Sequence, residues 1–345
     1  VENRITVPWQ QPADAAGGAW DALVVGAGPA GSMAALHLAA AGQRVLLLDR
    51  AAFPRDKTCG DLLIADALQA LERAGLMPSV QEMGCACPSM RIFSPSGIEV
   101  ELPGRFFTLR RRALDELIAR RAVEAGAVFC QGEVKLIERT DCGIACLLAD
   151  SEHTIRARIG IVATGARVEL LEMFGLPVRR QASAMAARCY VRSPLGLREL
   201  IVSFDRAIVP GYAWIFPLGN DEYNVGCGVV EDGRSRQRPN LRRLFAQFMA
   251  QFPLAVELMR RGEWLSPLQG ARLRCGLHGA CRDEACTLLA VGETIGATYP
   301  LTGEGIGKAM RTGELAAEAV HDALESADAR RLREFPARLE AELRS

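Results

Sequence analysis

The stretch DALVVGAGPAGS, residues 21–32, decides the fold. Leu23, Val24 and Val25 form an apolar run of strand length. Gly26-Ala27-Gly28-Pro29-Ala30-Gly31 then makes a glycine turn, and Met33, Ala34, Leu36, Leu38 and Ala39 continue as a helix. A second buried strand, RVLLLD at 44–49, follows, so the segment predicts one βαβ unit with parallel strands. The three glycines serve different ends. Gly26 makes the tight turn, Gly28 lets backbone approach a pyrophosphate beside Pro29 and Ala30, and Gly31 lets helix and strand pack closely. Asp49, followed by Arg50, ends the second strand 18 residues after Gly31, placed to accept hydrogen bonds from ribose hydroxyls. This order predicts dinucleotide binding, without separating FAD from NAD.

Composition narrows the class. The chain has 345 residues with Lys plus Arg and Asp plus Glu equal at 41 each, which removes any argument for a nucleic-acid partner. The 11 cysteines have spacings that match no paired zinc or iron–sulfur pattern, so no metal is expected and reduced thiols in a cytoplasm are the simpler reading. Residues 23–48 are apolar enough to resemble a membrane span, but glycines, a proline and Gly42-Gln43-Arg44 divide them into strand, helix and strand. Residues 1–20, with Pro8, Pro12, Gly17 and Gly18, read as a loose arm. The chain opens on Val1 and stops at Arg344-Ser345 inside a helical charge pattern, so either end reads as a processing boundary.

Further along, ALDELIARRAVEAG at 113–126 predicts a helix with a glycine stop, and Val128 begins another strand. Two β-rich runs flank Ser151-Glu152-His153 and predict a hairpin feeding a buried strand. Residues 167–275 change to short β-like runs with a helical insert near 241–261. A buried strand returns at Cys286, and a long helix is expected from Thr302 to Ala323. Only 6% of the chain is aromatic, yet PGYAWIFP at 210–217 places Tyr212, Trp214 and Phe216 at alternate positions, on one face of a strand. Ala213 and Ile215 lie behind, and Gly226 and Gly228 on the next strand leave space near the rings. By itself this pattern suits core packing better than a pocket wall.

VGETIGATYPLTGEGIG at 291–307 resembles the second flavin motif of the p-hydroxybenzoate-hydroxylase-like flavoproteins. The resemblance implies FAD, with Glu293 toward the ribityl chain, Pro300 beside the ring, and Gly303, Gly305 and Ile306 at a helix start facing its pyrimidine edge. The family acid is usually Asp, so Glu293 adds a methylene. Arg111 matches the family arginine that opens the second long helix, with Arg110 and Arg112 as alternatives. Thr164, in IVATGARV at 161–168, replaces the acid that monooxygenases of this superfamily carry there, which weakens NADPH-driven hydroxylation.

Cys59-Gly60, in FPRDKTCGD at 53–61, together with Tyr212-x-Trp214-x-Phe216-Pro217, resembles the geranylgeranyl reductase branch over roughly residues 20–325. Within that resemblance the rings become one wall of a substrate pocket. It implies an α/β fold: a discontinuous Rossmann-type FAD-binding domain (21–84, 105–166 and 276–330), with an inserted sheet-containing substrate (cap) domain at 85–104 and 167–275. A C-terminal helix is expected at 331–345. It further implies reduction of C=C bonds in an isoprenoid or lipid-like, small apolar substrate, with Cys59 or a water near it giving the proton. An electron donor (NAD(P)H, reduced flavin or a ferredoxin-like protein) and peripheral membrane contact go with this reading. One alternative is a flavin monooxygenase or halogenase acting on an aromatic or polyketide-like substrate. Phenolic flavin halogenases have Trp-x-Trp-x-Ile-Pro where this chain has YAWIFP, and a lysine near the place of Lys57, but Tyr212 and Phe216 depart from that motif. The other alternative is a non-catalytic flavin-binding redox sensor or scaffold.

Overall fold

The structure is a computed structural model that describes residues 10–149, 151–179, 182–230, 240–277 and 280–344. Residues 1–9 of the expected arm lie outside them.

The glycine-turn segment folds as its pattern predicts. Trp20–Val25 and Val45–Asp49 pair in parallel, with Val24 opposite Leu47, and Pro29–Ala40 makes the crossover. Strands buried on both faces are continuously apolar for that reason. Thr154–Val162 lies on the other side of Trp20–Val25 and Val128–Gln131 beyond Val45–Asp49, both parallel. The hairpin from Gly143–Leu148 into Thr154–Val162 and the strand Val134–Thr140 extend one edge, and Leu288–Ala290 adds in parallel to the end of Thr154–Val162.

The chain leaves this sheet twice to build a second one. The first excursion supplies Leu62–Leu63, Cys85–Phe93 and Glu99–Thr108, and the second supplies Ala184–Arg192, Leu200–Ser203, Gly211–Gly219, Glu222–Val230, Glu263–Trp264 and Gln269–Leu273. Its pairs are antiparallel except Leu200–Ser203 with Cys85–Phe93. On one face Ala213, Ile215, Val225 and Cys227 pack under the helices Leu241–Gln251 and Pro253–Arg260. Pro253 opens the second of these, dividing the expected insert in two. The opposite face turns Tyr212, Trp214 and Phe216 toward the first sheet.

Four boundaries differ from the sequence reading, one being the C-terminal helix, which runs Phe335–Arg344 after a 3-10 turn at Ala329–Glu334 rather than starting at 331. Residues 12–16 form a short helix and the Gln10 N–H bonds the Phe129 carbonyl at 2.8 Å, so from residue 10 onward the segment expected to be loose is docked on the sheet edge. The second sheet takes Leu62–Leu63 and runs on to Thr108, past the expected limit at 104, because Leu62 pairs with Thr108 and Leu63 with Phe107. The long helix begins at Ile306 rather than Thr302, since Gly303 has φ +75° and Gly305 is the residue before the first helical turn.

The Pro29–Ala40 and Ile306–Glu325 helices pack side by side through Gly313, where an added Cβ would lie 2.1 Å from the Ala30 carbonyl oxygen. This contact sets both N-termini at one end of the molecule. Gly313→Ala must push the helices apart, at a cost of about 1–3 kcal/mol. The expected result is a lower melting temperature with a parallel loss of bound flavin; an unchanged melting temperature would contradict the contact.

Candidate cofactor and substrate cavity

A cavity of about 1300 Å³ lies between the two sheets. Pockets for one drug-sized ligand run to roughly 300–1,000 Å³, so this one has room for a cofactor and a second molecule. At one end it is lined by Gly26, Gly28, Pro29 and Ala30, with Asp49 and Arg50 at the neighbouring strand end. Gly26 has φ +104° and an added Cβ would lie 2.4 Å from the Ala163 oxygen, so only glycine makes this turn. A Cβ at Gly28 would meet only an Arg55 nitrogen at 3.9 Å, which leaves open space where a phosphate would approach. Gly31 stays off the cavity wall: its Cβ would be 1.9 Å from the Gly26 oxygen, the close packing expected of it.

Asp49 accepts from the Ala27 N–H at 2.9 Å, the Ala51 N–H at 3.0 Å and Arg55 at 3.2 Å. Arg55 also donates to Asp115 at 3.0 Å, and Arg111 grips the same carboxylate at 2.6 and 2.8 Å. Arg111 is the arginine of its triplet that lines the cavity. Arg110 instead stacks on Tyr190 at 4.1 Å and pairs with Glu222, and Arg112 is exposed. Burial works against the Arg111 charge, but Asp115 outweighs it and holds the guanidinium protonated more firmly than usual.

Next to the Gly26 to Ala30 segment, where a Cβ added at Gly292 would lie only 2.9 Å from the Ala30 Cβ, Glu293 sits on a tight turn, Gly292–Ile295, and accepts from the Arg274 N–H at 3.2 Å, with the Lys57 ammonium at 4.0 Å. Pro300, Gly303, Gly305 and Ile306 complete this side. The Ile306–Glu325 helix begins here with no side-chain cap, so its positive end faces the cavity. Thr164 lines the wall beside the Gly26 turn and donates to the Arg167 carbonyl at 2.6 Å.

Cys59 and Gly60 occupy the middle. Burial pushes the Cys59 thiol above its ordinary value of 9.0, opposed by the Arg111 charge. Gly60 lies against the aromatic face, since an added Cβ would come within 3.5 Å of the Phe216 ring and 3.7 Å of the Trp214 ring. Asp61, with φ +63°, turns its carboxylate back into the second sheet, where it accepts from Tyr190 at 2.9 Å, Asn224 at 2.8 Å and the Arg111 N–H at 3.0 Å. Burial drives Asp61 above the usual carboxylate range against these three donors.

Tyr212, Trp214 and Phe216 share one face, with ring centroids 5.9 and 6.1 Å apart, and Phe204 adds a fourth ring 5.8 Å from Tyr212. The expected space at Gly226 is real, since a Cβ there would lie 2.3 Å from the Trp214 ring. Trp214 and Phe216 are each only 5% exposed and pack on Leu62, Cys87, Leu200 and Val202, so these rings are core and cavity wall at once. The Tyr212 hydroxyl donates to the Thr302 carbonyl, which ties the wall to the glycine-rich loop before the long helix.

All the expected site residues except Gly31 therefore line one cavity. Sequence reasoning missed Arg55, Asp61, Tyr190, Asn224 and Phe204. Asp61 stands directly after Cys59-Gly60, which was the available signal; Asn224 and Tyr190 had none, because their partners lie 163 and 129 residues away. Among the described residues, no group of His, Cys, Asp or Glu is arranged to hold a metal ion, and no helix is long and apolar enough to cross a membrane.

Residues 19–191 match the FAD binding domain family. The chain is 34% identical over 319 residues to a menaquinone reductase of Mycolicibacterium smegmatis, covering 86% of this chain and 75% of that protein. It is 31% identical over 323 residues to digeranylgeranylglycerophospholipid reductase 2 of Methanopyrus kandleri, covering 90% and 78%. A geranylgeranyl bacteriochlorophyll reductase-like structure from Thermoplasma acidophilum superposes with a TM-score of 0.81 at 22% identity, covering 94% of this chain and 84% of that one.

Thiol chemistry tests the middle of the site. Cys85 is brought down to about 7, first by a hydrogen bond with Cys87. Peptide-resolved alkylation of cofactor-free protein near neutral pH is expected to label Cys85 first. Cys59 should react slowly, its rate climbing only as pH passes the ordinary thiol value of 9.0. Labelling of Cys59 ahead of Cys85 near neutral pH would contradict a protonated thiol.

Proposed function

Because the chain belongs to the geranylgeranyl reductase family of FAD-dependent oxidoreductases, we propose that it reduces C=C bonds of an isoprenoid or similarly apolar chain. The observation that carries this reading is the Cys59–Gly60 turn lying against the Trp214 and Phe216 rings inside one cavity bounded by both glycine-rich segments.

The residues present fit FAD. Two uncapped helix N-termini face the cavity, and Gly28 leaves its space open. Asp49 would hold the adenosine ribose, Gly28 to Ala30 the pyrophosphate, Arg111 and Glu293 the middle of the cofactor, and Pro300 with Gly303 to Ile306 the ring edge. Bound there, reduced FAD would supply the hydride for one carbon of the double bond. The chain's own residues do the rest. Tyr212, Trp214 and Phe216 hold an apolar chain flat and exclude water, and the Cys59 Sγ holds the proton for the other carbon. Leu301, 75% exposed, and Val209, 54% exposed, stand on the rim of the same cavity and give a lipid-like chain an apolar entrance, where peripheral membrane contact would occur. A reducing partner (NAD(P)H, reduced flavin or a ferredoxin-like protein) would supply the two electrons per turnover.

Product mass decides between chemistries. Anaerobically reduced holoenzyme given polyprenyl lipids or menaquinone should yield products heavier by hydrogen alone; oxygen or halogen gained on readmitting air and halide would overturn the proposal in favour of a monooxygenase or halogenase. A tightly bound FAD that no donor reduces would point to a sensor or scaffold. Cys59→Ser should lower turnover by roughly 10²-fold or more, the scale of general-acid catalysis, and undiminished turnover removes the thiol from the mechanism. Because the thiol stays protonated below its raised value, the proton-dependent rate should be flat through neutral pH and fall only above the ordinary 9.0.

A further inference from the structure

Asn224 is fully buried on the Glu222–Val230 strand, opposite Phe216 on one neighbouring strand and Tyr190 on the other in the sheet register. Its Oδ1 accepts from the Trp214 indole N–H at 2.9 Å, while its Nδ2 donates to the Cys59 carbonyl and to Asp61, each at 2.8 Å. The amide cannot be flipped, because the indole nitrogen only donates and the Cys59 carbonyl only accepts. Both amide hydrogens are used. Asp would keep the acceptor and lose both donors, Ser is shorter and has one hydrogen, and Gln adds a methylene where Asn224 already meets its partners. One side chain therefore binds the backbone of the proposed proton donor to the ring that forms the substrate wall.

We propose that Asn224 is a positioning residue that sets the Cys59 thiol in register with the aromatic wall; what that register serves rests on the reductase reading above. The rest of the network is braced independently. The Tyr190 hydroxyl reaches the same Asp61 oxygen, and its ring lies between the guanidinium groups of Arg110 at 4.1 Å and Arg188 at 4.2 Å. The other Asp61 oxygen takes the Arg111 N–H. Loss of Asn224 then frees the Cys59 carbonyl and the Trp214 ring while Asp61 keeps two donors. The result is a displaced thiol rather than a dismantled turn, and a misplacement of about 1 Å is enough to cost roughly 10²-fold in rate.

The test uses full-length, FAD-loaded Asn224→Ala and Asn224→Asp, the second nearly isosteric in case the first folds poorly. Three quantities are read: bound FAD per chain, kcat and KM with the best polyprenyl substrate, and the alkylation rate of Cys59 in cofactor-free protein. The expected result is wild-type FAD content, kcat lower by roughly tenfold to 10²-fold with KM changed much less, and Cys59 alkylated several-fold faster. Wild-type alkylation and kcat in either folded variant overturns the proposal. So does loss of FAD or of the fold in both variants, which would make Asn224 a general structural residue. Failure of the reductase reading is separately visible: Cys59→Ser would then turn over normally, while the alkylation rate in the Asn224 variants still reports whether this side chain holds the thiol in place.

Discussion

The nine residues from Phe53 to Asp61 are pinned to three surfaces at once, and the cavity takes its shape from that pinning. Arg55 holds the loop to Asp49 and Asp115 on the cofactor side. Asp56 reaches the other way, to Arg188 at 2.9 Å on the second sheet, and Lys57 points to Glu293. The Cys59 carbonyl and the Asp61 carboxylate both end on Asn224. Removing one partner of a fully buried ion pair costs about 3–5 kcal/mol. Arg188 is 1% exposed, but Asp56 is 46% exposed, so water screens that bridge and its strength falls below this range. The dry Asn224–Asp61–Tyr190 hydrogen bonds are therefore the firmer half of the seam.

The same dryness governs protonation at the turn. Trp214 and Phe216 complete an apolar cluster with Leu62, Cys87, Leu200 and Val202, and the turn that carries Cys59 rests on that cluster. An environment that excludes water disfavours charge, which is why both Cys59 and Asp61 move upward despite the arginines nearby. A thiol kept neutral in this way can give a proton, whereas the same residue beside solvent would tend toward a nucleophile. Core packing and the cavity wall use the same rings here.

Much of the site could be read locally. GAGPAG and Asp49 lie within one βαβ unit, where strand length, turn glycines and helix start are governed by neighbours in sequence, and the structure places them as that pattern requires. The alternation in YAWIFP likewise fixed which rings share a face. Arg111 could not be told from Arg112 in this way: each has an acid four residues on, Asp115 and Glu116, and only burial of one helix face separates them. The limit at 104 was missed because Arg105-Phe106-Phe107-Thr108 shows no change of composition where the strand pairs with Leu62–Leu63.

The order of elements, the cofactor class and the residue types that line the cavity were determined by the sequence, through short-range geometry and the resemblance its motifs carry. Tertiary structure alone decided that Cys59, Trp214 and Asp61 meet at Asn224. That side chain lies 165 residues from Cys59, and no periodicity encodes a bond from the Phe53–Asp61 loop to a strand of a separate excursion of the chain. Such a contact exists only once both sheets are built and water has been driven from between them, when an amide with one acceptor and two donors can serve the buried Trp214 indole and Cys59 carbonyl and add a third donor to Asp61.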